Sequence, residues 1–243
     1  TLMGLALGAA ARDARAQHDQ WAQESLAPDG PTVMEEHTGV RIRDVFHDWG
    51  AVVAWHLAIR KVRPLDRLVI MNVPHPACMT RDLRTWAQLK KSWYILFFQI
   101  PWLPERMLSA KKADAIGRAF VDMAIDKARF PVAVTDEFKR SALEPGALNA
   151  MLNYYRAAVR AGAKAMNPEP GTVDVPTLMI WGVEDSALGK ATTEGTERYV
   201  KDLTLRYLPG VSHWVQQEAP EKVNAMIEAW LTGAPVPIEG EIV

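Results

Sequence analysis

The chain has 243 residues, with 28 Lys and Arg residues against 29 Asp and Glu residues and a formal net charge of -1. Nucleic acids and anionic membranes bind net basic surfaces, so this balance argues against both partners. The hydrophobic fraction of 49% is that of a globular protein, and no apolar run reaches the roughly 18 residues of a membrane-spanning helix. The single cysteine, Cys78, excludes an internal disulfide and a cysteine-rich metal site.

Residues 1–39 form an atypical N-terminal segment with weak hydrophobic periodicity. Residues 2–11 are apolar and small, and residues 12–17 can be read as a signal-peptide cleavage region, but the usual basic stretch before them is absent. We therefore expect a cytoplasmic protein. Export is the alternative, if residues 1–17 are the remnant of a signal peptide.

From Val40 onward the hydrophobic pattern predicts alternating strands and helices. Residues Val40–Val45 alternate apolar and charged side chains, which is typical of a strand with one wet face. The apolar run Ala51–Ile59 has helical length, and the unbroken apolar run Leu68–Val73 is typical of a parallel strand covered on both faces. The later predicted elements are strands at Pro176–Gly182 and Leu203–Leu208 and an amphipathic helix at Pro220–Leu231.

Between the second and third predicted strands lie about a hundred residues without a good strand pattern. Four prolines divide this stretch into several helices: Pro101, Pro104, Pro131 and Pro145. Strands that alternate with helices indicate a parallel α/β sheet. We therefore predict a core formed by residues 40–77 and 174–243, with residues 78–173 inserted as a helical cap.

Three reactive side chains follow predicted strands. Asp48 follows the first strand, Asp185 the third and His213 the fourth, and ligands of parallel sheets bind at the carboxyl ends of strands. A carboxylate on a strand-to-helix turn, followed by an Asp that orients a His, has the order of an α/β-hydrolase triad with Asp as nucleophile. Attack by a carboxylate on carbon forms an ester, and this suits epoxides or alkyl halides.

Each of these residues also has a plain structural interpretation. Asp48 could cap the following helix, since an isolated Asp before an apolar helix is most often a cap. Asp185 could be a turn residue, with Glu184 as the rival triad acid. His213 could be a loop histidine whose ring nitrogens are satisfied by neighbours.

Six motifs in order make the chain resemble the cap-bearing epoxide hydrolases of the α/β-hydrolase fold. The resemblance covers Val45 to Leu231, about three quarters of the chain. The motifs are His47-Asp48-Trp49-Gly50, Asn72-Val73-Pro74-His75-Pro76, Ser92-Trp93-Tyr94 with Phe98-Gln99-Ile100-Pro101-Trp102, Leu152-Asn153-Tyr154-Tyr155-Arg156, Trp181-Gly182-Val183-Glu184-Asp185 and Gly210-Val211-Ser212-His213-Trp214.

The resemblance implies a mechanism without a metal or an organic cofactor and a small-molecule epoxide as substrate. Asp48 would attack an epoxide carbon while Tyr94 and Tyr155 hold and protonate the epoxide oxygen. A phenol suits this task because its pKa near 10 keeps it protonated at neutral pH. His213, oriented by Asp185, would then deprotonate the water that cleaves the ester.

The chain departs from this family before the nucleophile. The resemblance implies four strands upstream of Asp48 and a His-Gly-x-Pro loop that adds an oxyanion donor to the backbone N–H of Trp49. The 47 residues before Asp48 contain neither. We therefore expect half of the sheet to be missing, so that the strand Val40–Phe46 becomes an edge open to self-association.

A second departure lies in the turn itself. Such a turn needs small residues two positions before and two after the nucleophile, and Gly50 meets this need whereas Phe46 does not. We expect the Phe46 ring to clash with the turn or tilt it. The sequence upstream of His47 is then not the family's normal one, and activity could be impaired.

Three alternatives remain open at this point. Tyr94 and Tyr155 could be ordinary core aromatics, and Tyr154 is easily confused with Tyr155. A haloalkane or haloacid dehalogenase shares the Asp nucleophile, but the tyrosine pair favours the epoxide. A non-catalytic fragment or interaction module is the alternative from another class.

Overall fold

The computed structural model describes residues 45–62, 64–166 and 171–238. The predictions for residues 1–44, including the first five residues of the strand expected at Val40–Val45, lie outside the described residues.

One sheet of four parallel strands forms the centre of the described part of the chain. Its spatial order is the chain order, β1-β2-β3-β4, so each strand pairs with the next one along the sequence. The predicted parallel α/β sheet with flanking helices is thereby confirmed. The strands are β1 Val45–His47, β2 Leu68–Met71, β3 Thr177–Gly182 and β4 Leu203–Leu208.

Successive residues of β2 face opposite sides of the sheet, and both sides are covered. Leu68 and Ile70 pack in a cluster with Trp55 of the first helix, whereas Val69 and Met71 pack in a cluster with the last helix. All four side chains of β2 are buried. An unbroken apolar run was expected for this reason, because neither face of the strand meets water.

Helices flank the sheet and fill the long connection between β2 and β3. In the described residues this connection contains six α-helices, α2 to α7. The α-helices are α1 Asp48–Ile59, α2 Pro76–Asp82, α3 Trp86–Lys91, α4 Trp93–Phe97, α5 Leu103–Met123, α6 Val132–Ala142, α7 Ala147–Met166, α8 Val215–Glu218 and α9 Pro220–Thr232.

Element boundaries differ from the predictions where local backbone geometry decides them. β2 ends at Met71 because Asn72 has a φ of 47°, a left-handed conformation that cannot continue a strand. α1 begins at Asp48, three residues before the predicted start. Pro104 was expected to separate two helices, but it lies in the first turn of α5, where a missing N–H is tolerated.

The helical insertion has an apolar core of its own that reaches the sheet. Phe120 of α5 packs against Phe138 of α6, with ring centroids 4.2 Å apart, and against Trp214 of the loop after β4, at 4.5 Å. The helices therefore rest on the same loop that carries His213. No helix among the described residues is both long and apolar enough to cross a membrane.

Candidate active site

Asp48 lies on a sharp turn between β1 and α1. Its φ of 52° is left-handed, and a non-glycine residue keeps such a conformation only when its surroundings enforce it. The turn forms with Phe46 in place, so the predicted clash is not observed. Phe46 is half-buried, and a Cβ added to Gly50 would lie 3.8 Å from its ring, an ordinary contact. A large residue at 46 therefore packs beside a glycine at 50.

The three predicted reactive side chains meet at the carboxyl ends of β1, β3 and β4. The Nδ1 atom of His213 lies 2.6 Å from Oδ2 of Asp185, and its Nε2 atom lies 3.8 Å from Oδ1 of Asp48. The imidazole therefore stands between the two carboxylates, in hydrogen-bonding contact with one and slightly farther from the other. Glu184, the rival acid, instead accepts a hydrogen bond from the backbone N–H of Gly210.

Four donors surround the Asp185 carboxylate, which is fully buried. Oδ1 accepts hydrogen bonds from the backbone N–H groups of Ala187 and Leu188, at 2.7 and 2.8 Å. Oδ2 accepts one from Nδ2 of Asn72 at 2.8 Å besides its contact with His213. Burial opposes the charge, but the charge of His213 and these hydrogen bonds outweigh it and lower the pKa of Asp185. Asp185 is therefore an anion at neutral pH.

His213 is buried and held at both its ring and its backbone. Burial lowers its pKa, but the carboxylates of Asp185 and Asp48 outweigh burial and raise that pKa to about 10. The backbone carbonyl of His213 accepts a hydrogen bond from Nε2 of His47 at 2.8 Å. Burial, together with the nearby charge of His213, lowers the pKa of His47 to about 3. His47 is thus a neutral donor.

A mainly apolar cavity of about 400 Å³ opens above Asp48. Asp48 and Trp49 line one end of it, and Tyr94 and Tyr155 line the same cavity from α4 and α7. The two tyrosine rings are 5.7 Å apart and nearly perpendicular. Burial and then neighbouring charged groups raise the pKa of both phenols above 10. Tyr154, by contrast, does not line the cavity and is 48% exposed.

Comparison with known proteins places the chain in a family. No protein-family model matches it. The AB hydrolase superfamily protein YfhM of Bacillus subtilis is 35% identical over 214 residues, which are 88% of this chain and 73% of YfhM. The chain belongs to the α/β-hydrolase superfamily.

Within this superfamily the chain is epoxide-hydrolase-like. Human epoxide hydrolase 4 is 35% identical over 191 residues, which are 76% of this chain and 52% of that protein. The crystal structure of a Bacillus megaterium epoxide hydrolase with an inhibitor superposes with a TM-score of 0.70 and 25% identity, covering 82% of this chain and 74% of that one. The chain spans from about half to about three quarters of the length of the curated relatives it matches.

In this α/β-hydrolase helix α3 of the insertion also holds the Asp185 loop. Nζ of Lys91 donates to the backbone carbonyl of Asp185 at 2.7 Å. Nε2 of Gln88 donates to the carbonyl of Ala187 at 2.8 Å, and Oε1 of Gln88 accepts from the N–H of Gly189 at 3.1 Å. The side chains of α3 therefore fix the backbone at Asp185 and over the residues that follow it.

Sequence reasoning missed three polar residues that hold this α/β-hydrolase site together: Asn72, Gln88 and Glu218. Asn72 belongs to one of the six motifs, but no role was predicted for it. Its position directly after a buried strand could have indicated a residue of the site. The buried Glu218 carboxylate accepts hydrogen bonds from Ser212, next to His213, and from the backbone N–H groups of Ile125 and Asp126. Nothing in the sequence near Gln88 or Glu218 indicates these distant partners.

Proposed function

We propose that the protein hydrolyses an epoxide to a vicinal diol through a covalent ester on Asp48. One observation carries the proposal: Asp48 lines the same cavity as Tyr94 and Tyr155, with His213 3.8 Å behind its carboxylate. A nucleophile and two acids thus line one space of about 400 Å³, within the range of small-molecule sites, and the base lies next to the nucleophile. Its lining fits an apolar epoxide.

Ester formation uses the Asp48 side of the cavity. An oxygen of Asp48 bonds to an epoxide carbon, and the bond from that carbon to the ring oxygen breaks. The developing alkoxide takes a proton from Tyr94 or Tyr155 as it forms. Because burial raises the pKa of both phenols, they are neutral at pH 7 and available as donors.

Ester hydrolysis uses His213. The imidazole removes a proton from a water molecule, which attacks the ester carbonyl carbon, and the backbone N–H of Trp49 stabilises the oxyanion. The alkyl oxygen then leaves and takes the proton from the imidazolium, which forms the second hydroxyl of the diol. The new Asp48 carboxylic acid gives its proton back to the tyrosinate, so that the Asp48 carboxylate, the imidazole and the phenol are all restored. Ester formation removes the negative charge of Asp48 beside His213, which lowers the pKa of the imidazole from its raised value of about 10 and makes it a better base.

The remaining assignments follow from this reaction. We assign residues 40–77 and 174–243 to the hydrolase core and residues 78–173 to a cap that carries Tyr94 and Tyr155. Among the described residues strand β1 pairs with β2 on one side only, and we propose self-association through its other side. A cytoplasmic location stays a prediction.

The decisive experiment traps the ester. We expect His213→Gln, incubated with styrene oxide, to gain one epoxide mass on the peptide that contains Asp48, because the ester forms but no base hydrolyses it. The double variant Asp48→Asn with His213→Gln is the matched control and should gain no mass. Halide release from a haloalkane would favour a dehalogenase instead. A folded His213→Gln protein without adduct, together with no diol from the unmodified chain, would contradict the proposal.

A further inference from the structure

Asn72 occupies a strained and fully buried position at the end of β2. Its φ of 47° is left-handed, and its backbone N–H donates to the carbonyl of Ile180 at 3.1 Å. Asparagine tolerates this conformation better than most residues, but strain of this kind persists only where the surroundings enforce it. The position directly faces the carboxyl end of β3, which leads to Asp185.

The hydrogen bonds of the Asn72 side chain fix which way its amide points. Oδ1 accepts from the backbone N–H of Gly182 at 2.9 Å, and Nδ2 donates to Oδ2 of Asp185 at 2.8 Å. A reversed amide would place its NH₂ group against the Gly182 N–H and its oxygen against a carboxylate. Both contacts would be repulsive, so the amide has one stable orientation.

The carboxylate oxygen that Asn72 contacts is the one that also binds His213. Oδ2 of Asp185 therefore has two donors, Nδ2 of Asn72 and Nδ1 of His213, whereas Oδ1 is held by backbone N–H groups. Without Asn72, Oδ2 would lose the donor that directs it toward the imidazole. A carboxylate that orients a catalytic His fixes its tautomer and ring position, and small displacements there reduce rate strongly.

We propose that Asn72 is a positioning residue that acts through Asp185 on the hydrolysis of the Asp48 ester. The inference rests on the proposed function and deepens it, since it assigns Asn72 to the second half-reaction. Ester formation does not need the base, so Asn72 should not influence it. The hydrogen bond from Asn72 to Asp185 is thus expected to matter only after the ester has formed.

Asn72→Gly tests this role without adding backbone strain, because glycine accepts a positive φ. With styrene oxide in rapid-mixing experiments, we expect ester formation to proceed at the unmodified rate, while ester hydrolysis slows about 10- to 100-fold, below the effect of losing the triad acid itself. Mass spectrometry should then show the ester accumulating in the variant. Asn224→Gly, on the exposed face of α9, is the control for general destabilisation and should leave both rates unchanged.

A double-mutant cycle separates positioning from a merely structural role. If Asn72 acts through Asp185, Asn72→Gly should slow hydrolysis in the unmodified chain but not in the Asp185→Asn background. Equal slowing in both backgrounds, or slowed ester formation, would overturn the inference. Absence of any ester in folded His213→Gln, together with no diol from the unmodified chain, would instead overturn the proposed function, so the two failures are distinguishable.

Discussion

In the part of the chain that the structure describes, the nucleophile and the acid–base pair are held by different kinds of contact. Asp48 follows strand β1, of which the described residues Val45–His47 pair with β2. Asp185 and His213 follow six-residue strands that pair with each other over six positions. The Asp185 loop is hydrogen-bonded to Lys91, and Glu218 links the His213 loop to Ile125 of the insertion. Among the described residues the acid–base side is therefore braced by the sheet and the inserted helices together, whereas Asp48 lies on one tight turn after β1.

This difference coincides with the division of the proposed reaction into two half-reactions. Ester formation needs the turn and the tyrosine pair. Ester hydrolysis needs the braced pair Asp185 and His213. A change on one side should therefore affect mainly one half-reaction, and the predictions that follow test this separation in order of decreasing effect.

The largest effect is expected from removing the carboxylates in turn. Asp48→Ala should abolish ester formation and reduce diol formation at least about 10⁴-fold, since no nucleophile remains. Asp185→Asn should still form the ester but hydrolyse it about 10³- to 10⁴-fold more slowly, because the imidazole loses its orienting anion. Mass spectrometry of the peptide that contains position 48 distinguishes the two variants, because only Asp185→Asn should carry the mass of the ester. Loss of ester formation in folded Asp185→Asn would show that the two sides are not separable.

A second prediction compares Gly182, on the side of the acid–base pair, with Gly50, on the side of the nucleophile. A Cβ on Gly182 would lie 2.0 Å from the backbone oxygen of Ser212 and 2.6 Å from that of Val211. We expect Gly182→Ala to lower the free energy of unfolding by about 3 kcal/mol or more, because backbone atoms must move.

Gly50→Ala is the matched substitution on the nucleophile side. Its Cβ would contact only the Phe46 ring within 4 Å, at 3.8 Å, and alanine favours a helix, so we expect a change within about 1 kcal/mol. Urea unfolding of both variants measures the difference. A loss of stability in Gly50→Ala as large as that in Gly182→Ala would contradict the unequal bracing.

The difference between local signals and long-range contacts explains which features the sequence could predict. The strands β2, β3 and β4 and the helix α9 were predicted within a few residues, since unbroken apolar runs and helical periodicity are local signals. Asp48, Asp185 and His213 were found because parallel strands bring their carboxyl ends together. Their convergence needed no knowledge of side-chain packing.

The residues that brace the site were not predictable in this way. Gln88 lies 101 residues from Gly189 in sequence, and Glu218 lies 93 residues from Ile125. No periodicity links such partners, since their contact depends on how the inserted helices dock on the sheet. The predicted Phe46 clash was wrong for a related reason. Whether the Phe46 ring has room beside Gly50 depends on the three-dimensional path of the turn, which the sequence does not show.

An intermediate effect is expected from the tyrosines, which belong to the nucleophile side. Tyr155→Phe and Tyr94→Phe should each slow ester formation about 100-fold, as expected for loss of a general acid, and leave hydrolysis of the preformed ester unchanged. Tyr154→Phe is the control, because the Tyr154 ring contacts Trp49 in a tilted arrangement, with centroids 5.5 Å apart, and does not line the cavity. Equal effects of Tyr154→Phe and Tyr155→Phe on ester formation would contradict the assignment of the donor.

The smallest effect concerns stability and pH, and it contrasts two neighbouring imidazoles. The rings of His47 and His213 lie 4.6 Å apart, yet burial lowers the pKa of His47 to about 3, while the adjacent carboxylates raise that of His213 to about 10. A lowered His pKa adds stability above its unfolded value of 6.5 that is lost as pH falls toward 3. A raised His pKa adds stability below 6.5 that is lost as pH rises toward 10.

The free energy of unfolding should therefore be greatest near pH 6.5 and decline on both sides. Between pH 7 and pH 5 we expect a loss of about 1–2 kcal/mol from His47, in the same direction as that from His75, whose pKa burial also lowers. His47→Gln, which keeps a donor for the His213 carbonyl, should flatten the acid side only. Asp185→Asn should flatten the alkaline side only, because the raised pKa of His213 depends on that carboxylate. Urea unfolding across pH measures both slopes, and a single variant that flattened both would mean that the two imidazoles titrate as one coupled unit.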